Sequence, residues 1–269
     1  MLLRLKSFTL LAFLLLASLS LISAQETSEK GKKTEKQSKS QKAEAGKNAT
    51  AEQVAESVIL IYGTRANLNQ IRKTTVERGK ISVVNAEGKT EQANYGRFIL
   101  RADNLEKERI RFDQEFPNAK YALIFNNNKI FGLYNDAVFS PREDASKAFE
   151  NQIWHGLEAL LRYKENESKI ELAGNEKMSG IDFYRLDITD KQNRKTRFYI
   201  SAKTLRVMML EYTEDSTKYR RRFYDYRVAQ GTLVPYRSVL WANDKQIEEV
   251  EVQTVSYGQK IEEDAFQAS

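Results

Sequence analysis

The chain has 269 residues, of which 41% are hydrophobic and 30% charged, with no cysteine, one histidine and a formal net charge of +6. This apolar content supports a folded core, and the lack of cysteine excludes disulfides, thiol catalysis, iron–sulfur clusters and thiolate metal sites. The lone His155 also excludes multi-histidine metal sites. We therefore expect no metal and no cofactor.

The positive charge is concentrated at the N-terminus. Nine of the 43 basic and four of the 37 acidic residues lie in the first 50 positions, which leaves 34 basic and 33 acidic residues in 51–269. A nucleic-acid-binding module carries its positive charge on the folded part. The sequence therefore predicts no nucleic-acid partner.

Residues 1–24 have the order of a signal peptide. Arg4 and Lys6 precede an apolar stretch that ends near Ile22, and the small residue Ala24 follows. Cationic start, short apolar segment and small residue at the cut define such leaders. We expect cleavage after Ala24 and a periplasmic protein. The alternative is an uncleaved anchor, which normally needs about 20 apolar residues.

Residues 25–49 contain no aromatic and no branched aliphatic side chain, but they include seven lysines and four glutamates. Such a segment buries too little surface to offset the entropy lost on ordering, so we expect a disordered tether. The interspersed glutamates favour a solvated spacer. The lysines also allow transient contact with an anionic membrane surface.

Two helices are predicted in the rest of the chain. The first begins with a capping box between Thr50 and Gln53 and ends at Gly63. The second is predicted to begin with another capping box at Ser140–Glu143, which has proline at the first helical position. Its apolar stripe consists of Phe149, Ile153, Leu157, Leu160 and Leu161.

Nearly all remaining segments alternate apolar and polar residues with period two, which predicts about ten strands. Examples are residues 79–84, 182–188 and 195–200, and a hairpin at 122–134. Short polar turns between them favour an antiparallel sheet. We expect a mainly β (α+β) fold, with a large curved antiparallel sheet forming a half-open barrel. Helices packed in its concave face would leave an apolar cavity.

Seven segments follow one another in a characteristic order: Tyr62-Gly63, Gly79–Val83, Phe183–Asp187, Arg197–Leu205, Phe223–Val228, Gly231–Tyr236 and Val252–Tyr257. This order of elements resembles the LolA-like superfamily of periplasmic lipoprotein and lipid carriers over residues 50–267. The resemblance implies a half-open barrel whose concave apolar face, lidded by helices, shelters acyl chains without catalysis or cofactors. The lysine-rich tether departs from the family pattern, and no arginine here can be matched to the family's functional arginine. The predicted organisation is a signal peptide (1–24), a tether (25–49) and a carrier domain (50–269).

An acyl-chain site needs a dry concave wall of aromatic and aliphatic side chains. Alternate apolar strand positions and three positions of the second helix are candidates for that wall, although any one of them could instead belong to a filled core. The candidates are Phe98, Leu100, Ile124, Phe131, Trp154, Leu157, Leu161, Tyr184, Leu186, Met208, Leu210, Tyr224, Tyr226, Val239 and Trp241.

Two polar features remain. The run Arg220–Arg222 is the densest basic group of the body, and alternation sends Arg220 and Arg222 to one face and Arg221 to the other. Arg220 and Arg222 are therefore candidates for contact with phosphate head groups or an acidic partner, or for a solvated face paired with nearby acids. His155 lies off the apolar stripe and is expected at the surface or its boundary.

We therefore expect a monomeric, non-enzymatic carrier of a lipid or lipidated protein that exchanges its cargo with donor and acceptor proteins of the envelope. The alternative is an envelope adaptor or structural protein of the same fold with a closed core. A third hypothesis, a hydrolase acting on envelope polymers, lacks any supporting motif in the sequence.

Overall fold

The computed structural model describes residues 49–85, 87–135 and 137–267. The predicted signal peptide and the predicted tether, apart from Ala49, lie outside the described residues. Ala49 itself packs against the larger of the core clusters described below.

The first helix, α1 (Ala51–Tyr62), has the predicted ends. The Thr50 side chain accepts a hydrogen bond from the Gln53 amide, the Gln53 side chain accepts one from the Thr50 amide, and Gly63 follows with φ 134°. A short helix, α2 (Arg65–Ile71), comes next and is not one of the two predicted helices. Hydrophobic periodicity does not predict this helix, because Leu68 is its one buried residue.

The predicted second helix is two helices, α3 (Glu143–Trp154) and α4 (Leu157–Leu161). The predicted capping box at Ser140 is wrong, because the N-cap is Arg142 and makes no side-chain capping bond. The break falls at His155 and Gly156, where Gly156 adopts an extended conformation with ψ 177°. A Cβ atom on Gly156 would lie 2.8 Å from the Gln152 carbonyl oxygen, so glycine permits the close turn.

Within the described residues, thirteen strands form one antiparallel sheet that is not closed, which confirms the predicted fold class. The strands are β1 (Thr74–Val84), β2 (Thr90–Leu100), β3 (Arg109–Phe116), β4 (Ala119–Asn126), β5 (Lys129–Tyr134), β6 (Ala137–Phe139), β7 (Lys169–Met178), β8 (Ile181–Thr189), β9 (Lys195–Ser201), β10 (Val207–Glu214), β11 (Thr217–Ala229), β12 (Thr232–Ala242) and β13 (Lys245–Tyr257). Their order in the sheet is β6-β5-β4-β3-β2-β1-β13-β12-β11-β10-β9-β8-β7.

This order divides the sheet into two halves, β1–β6 and β7–β13, each continuous in sequence. The halves meet at the ladder between β1 and β13. The outer edges are β6 and β7, so residues 140–168, which contain α3 and α4, connect one edge of the sheet to the other. We call residues 140–168 the crossover segment.

The helices cover one face of the sheet, here called the inner face, and bury two apolar clusters against it. The larger cluster joins α1 and α4 to strands β8–β12, with Leu186, Phe198 and Leu210 fully buried. The second joins Phe149 and Ile153 of α3 to strands β1–β4 and β13. Burial of each large apolar side chain contributes about 1.5–3 kcal/mol, so these clusters fix the crossover segment over the middle of the sheet.

The outer face is covered locally by a 3₁₀ turn, Glu263–Phe266, that packs on β3 and β4. Phe266 is fully buried there. Its carbonyl oxygen accepts a hydrogen bond from the Asn126 amide at 3.0 Å, and the Ala265 carbonyl accepts one from Arg111 at 3.1 Å. The C-terminal turn therefore anchors the β1–β6 half of the sheet from outside.

Candidate ligand cavity

A cavity of about 220 Å³ lies on the inner face, where the two halves of the sheet meet. Strands β1, β2, β11, β12 and β13 contribute to its walls, together with helices α3 and α4. Its volume falls below the roughly 300–1,000 Å³ that is typical of small-molecule sites. The cavity therefore suits one slender ligand, or a larger one only after the helices move.

Much of the wall is apolar. Strand β13 presents a row of valines to the cavity, β12 adds two aliphatic side chains, and the helices add one aromatic and two aliphatic groups. These residues are Val250, Val252, Val255, Leu233, Val234, Phe149, Ile153 and Leu157. Such a surface favours contact with hydrocarbon over water.

A chain of hydrogen-bonded polar side chains, here called the polar belt, runs from the sheet to α3 and back. Arg97 donates to the Gln152 side-chain oxygen at 2.7 Å, and the Gln152 amide donates to Glu248 at 3.1 Å. Glu248 accepts a second bond from Arg221 at 2.8 Å, while Arg97 lies 3.6 Å from Glu77. The belt holds two guanidinium and two carboxylate groups, so its charges balance.

A second group, here called the arginine cluster, lies between α2, β2, β3 and α4. Glu158 accepts hydrogen bonds from Arg72 at 2.9 Å and from Arg101 at 2.6 Å. Glu108 accepts one from Arg162 and lies 3.7 Å from Arg101. Three cations here face two carboxylates. All except Glu158, whose side chain is 25% exposed, are at least nine-tenths buried.

The two carboxylates of the arginine cluster differ in acidity. Burial opposes ionisation of Glu158, but the charges of Arg101 and Arg72 outweigh it and lower its pKa to about 2. Burial raises the pKa of Glu108 to about 7 despite the opposing charges of Arg101 and Arg162. The net charge of the cluster is therefore positive at neutral pH, where Glu158 is fully ionised.

His155 is buried rather than exposed, with 3% of its surface accessible, so the expected surface position is wrong. The expectation treated His155 as part of a continuous helix, off its apolar stripe, but α3 ends at Trp154. The Nδ1 atom of His155 lies 2.6 Å from Thr196 Oγ1. Burial, with a smaller contribution from Arg194, lowers its pKa to about 4, so the ring is neutral at physiological pH.

Among the predicted wall residues, Leu157 lines the cavity. Trp154 lines a smaller pocket of about 30 Å³ instead, and the Arg194 guanidinium lies 4.0 Å from the centre of its ring. Five others belong to the filled core of the β7–β13 half or pack against it: Leu161, Leu186, Leu210, Tyr184 and Tyr226. Tyr226 reaches that core because Asp225 has φ 52°, which interrupts the alternation of β11.

The other predicted wall residues, with the two predicted contact arginines, lie on the outer side of the sheet or in a satellite cluster there. Arg97 and Ile99 of β2 line the cavity, as does Arg101 directly after the strand, so alternation turns Phe98 and Leu100 away from it. The same argument places Ile124 and Phe131, which pair directly, opposite the inward Leu123 and Phe125.

Strands β10–β12 show the same reversal of faces. Met208 falls in a bulge and packs with Phe183 and Tyr199. Tyr224 lies under the Arg237 guanidinium, and Val239 alternates with the cavity-lining Ser238. Trp241 lies under Arg222, and Arg220 pairs with Glu211 and Asp244.

Arg221 is the member of the basic run that reaches the cavity. The predicted alternation of Arg220–Arg222 already separates Arg221 from its neighbours and places it on the face of Phe223, which is buried. The sequence pattern therefore indicates that Arg221 points inward, although it does not identify the residue that pairs with its charge.

Within the described ranges, no helix is both long and apolar enough to cross a membrane. In the same residues, no group of three or more histidine, aspartate and glutamate side chains is arranged to hold a metal ion.

A curved, open antiparallel sheet with helices that line a cavity on its inner face defines the class of this molecule. No protein-family model and no curated protein matches the sequence. Solved structures do match. A LolA superfamily protein from Nitrosomonas europaea is 12% identical with a TM-score of 0.58, and the match covers 82% of this chain and 98% of that one. A DUF1329 family protein from Desulfovibrio piger is 14% identical with a TM-score of 0.56, over 81% and 98%. The chain therefore has a LolA-like fold, which confirms the resemblance at the level of the fold.

Proposed function

We propose that this protein is an exported, non-enzymatic carrier that holds the acyl chain of a lipid or lipidated protein in the inner-face cavity. The observation that carries the proposal is the inner-face cavity itself, with its row of valines on β13 and its lining from the two helices of the crossover segment. The likeness in fold to a LolA superfamily protein supports it.

The proposal includes the route of the protein and its cargo. The leader of residues 1–24 directs export to the periplasm and is cut after Ala24, and residues 25–49 tether the carrier domain of 50–269. The protein acts as a monomer that receives its cargo from one envelope protein and passes it to another. Entry of a bulky acyl group requires the crossover segment to move, because the cavity is small.

The first test is to express the full chain with its own leader, collect the mature protein without detergent, and identify extracted lipids by mass spectrometry. A matched pair of variants tests the site: Val252→Phe places a ring in the cavity, whereas Val228→Phe makes the same change at a residue that is 72% exposed. We expect a lipid in stoichiometric amount with the wild type and Val228→Phe, and its loss with Val252→Phe at unchanged melting temperature.

A protein that carries no lipid and takes up no decan-1-ol would contradict the carrier proposal. That result would favour the alternative of an envelope adaptor with a closed core. Equal lipid content in the two variants would place the lipid outside the cavity.

A further inference from the structure

The arginine cluster carries one more positive charge than its carboxylates balance. Arg72, Arg101 and Arg162 pair with Glu108 and Glu158, and among the described residues no further carboxylate forms an ion pair with them. A buried charge without a counter-charge costs free energy. The polar belt, in contrast, is balanced, so the excess lies in the arginine cluster, of which Arg72, Arg101, Glu108 and Glu158 line the cavity.

Three buried hydrogen-bond donors in or beside the arginine cluster have no partner among the described residues: the Nε–H groups of Arg72 and Arg162 and the Thr75 hydroxyl group. Arg72 and Thr75 line the cavity, and Arg162 does not. The two cavity-lining residues lie close to the same aromatic ring: Thr75 is directly opposite Tyr257 in the ladder, and the Arg72 guanidinium is 5.3 Å from the centre of the Tyr257 ring. Unmet buried donors beside a cation favour an oxygen anion as the missing partner.

An apolar part of the cavity wall adjoins this charged region. Leu233, Val234 and Val255 line the same cavity, and Val255 packs with Tyr257 in a small apolar cluster. A ligand that satisfies both regions has a compact anionic head and a hydrocarbon chain. The volume of about 220 Å³ leaves room for one such chain of medium length.

We infer that the cavity binds a single-chain amphiphile with a carboxylate or phosphate head, which accepts hydrogen bonds from Arg72 and Thr75 while its chain lies along β12 and β13. The inference rests on the proposed function and narrows its ligand to anionic, single-chain molecules.

The test compares three ten-carbon probes by calorimetry on the mature protein: decanoate, decan-1-ol and decyltrimethylammonium. We expect decanoate to bind about tenfold more tightly than decan-1-ol, as hydrogen bonds to a charged group imply, and the cationic probe to bind least tightly. Acetate and inorganic phosphate, which lack a chain, are expected to bind far more weakly than decanoate.

A matched pair of variants locates the head group without disturbing the ion pairs. Thr75→Val removes the hydroxyl group of a residue that lines the cavity, whereas Thr74→Val removes the hydroxyl group of a residue that does not; within the described residues both groups are buried and unpaired. Neither change breaks a hydrogen bond, so both variants should fold. We expect Thr75→Val to lose most of the preference for decanoate over decan-1-ol and Thr74→Val to retain it.

The outcomes separate this inference from the proposed function. Equal affinity for decanoate and decan-1-ol would overturn the anionic head group while leaving an apolar carrier in place. Binding of no ten-carbon probe would overturn both. Acetate or phosphate binding as tightly as decanoate would reduce the site to an anion site without a chain, and an unchanged preference in Thr75→Val would overturn the placement of the head.

Discussion

The imidazole ring of His155 lies flat on the phenol ring of Tyr212, with the ring planes parallel and their centres 4.0 Å apart. The stack joins the break between α3 and α4 to strand β10. It therefore ties the crossover segment to the β7–β13 half of the sheet, with a titratable group at the contact.

The first prediction concerns acid stability. The pKa of His155 is about 4 in the folded protein against an ordinary value of 6.5, so the unfolded chain binds a proton between pH 6.5 and 4 that the folded chain does not. The free energy of unfolding must fall as the pH falls through this window. His155 alone accounts for about 2 kcal/mol between pH 7.5 and 5.

The measurement is urea unfolding of the wild type and His155→Phe at both pH values. Glu108, with its pKa raised to about 7, acts in the opposite direction, so the difference between the two proteins is the quantity to follow. Phenylalanine keeps the stack on Tyr212 but loses the bond to Thr196. The advantage of the wild type should shrink by about 2 kcal/mol at pH 5; a constant difference would mean that His155 does not titrate as described.

The second prediction separates core from cavity wall. Leu186 is fully buried in the larger cluster, so Leu186→Ala should lower the free energy of unfolding by about 2–5 kcal/mol. Its affinity for decan-1-ol should remain that of the wild type under conditions where both are folded. Leu157→Ala removes cavity wall and should weaken decan-1-ol binding about tenfold. Weakened binding in Leu186→Ala would show that the ligand reaches the core.

The third prediction tests the C-terminal anchor. Phe266 is fully buried on the outer face, so Phe266→Ala should cost about 3–5 kcal/mol of stability. Amide hydrogen exchange should rise first in β3 and β4, where the turn packs. Val228→Ala, at an exposed site, should change stability by less than about 0.5 kcal/mol. Unchanged exchange in β3 and β4 would mean that the anchor contributes little.

The fourth prediction tests movement of the crossover segment. Lys147 of α3 forms an ion pair with Asp215 of the turn between β10 and β11. The sequence has no cysteine, so Lys147→Cys with Asp215→Cys provides the two thiols needed for a short, reducible cross-linker. The linked protein should exchange a fluorescent fatty-acid probe more slowly, and reduction should restore the rate. Equal rates before and after linking, with the single-cysteine variants as controls, would show that exchange needs no motion at this contact.

Parts of the fold that depend on local chemistry are predictable from sequence. The capping box at Thr50 and the stop at Gly63 are set by hydrogen bonds within one turn of the chain. Helix α2 and the break at Gly156 depend on contacts with distant strands, which local patterns do not encode.

The site was harder to predict than the fold, for a reason visible in β2. Alternation gives the two faces of a strand but does not say which face is inside. The usual rule that apolar side chains are buried and charged ones are exposed would place Phe98 inside and Arg97 outside. The structure does the opposite because Gln152 and Glu77 of the inner face provide the partners that Arg97 needs. Glu77 lies 20 residues and Gln152 lies 55 residues from Arg97 in sequence, so no local pattern reveals these partners.

The arrangement of the sheet around the β1–β13 ladder has a further consequence. Residues 74–139 and 169–257 form the two halves of the sheet. The β1–β13 ladder joins these halves by hydrogen bonds, and the crossover segment joins them covalently. A single cut in that segment would leave two complementary fragments, held together by the ladder and by α1, which belongs to the first fragment but packs on β7, β8 and β12 of the second. The two fragments, expressed separately, should therefore reassemble, and the cavity would lie where they meet.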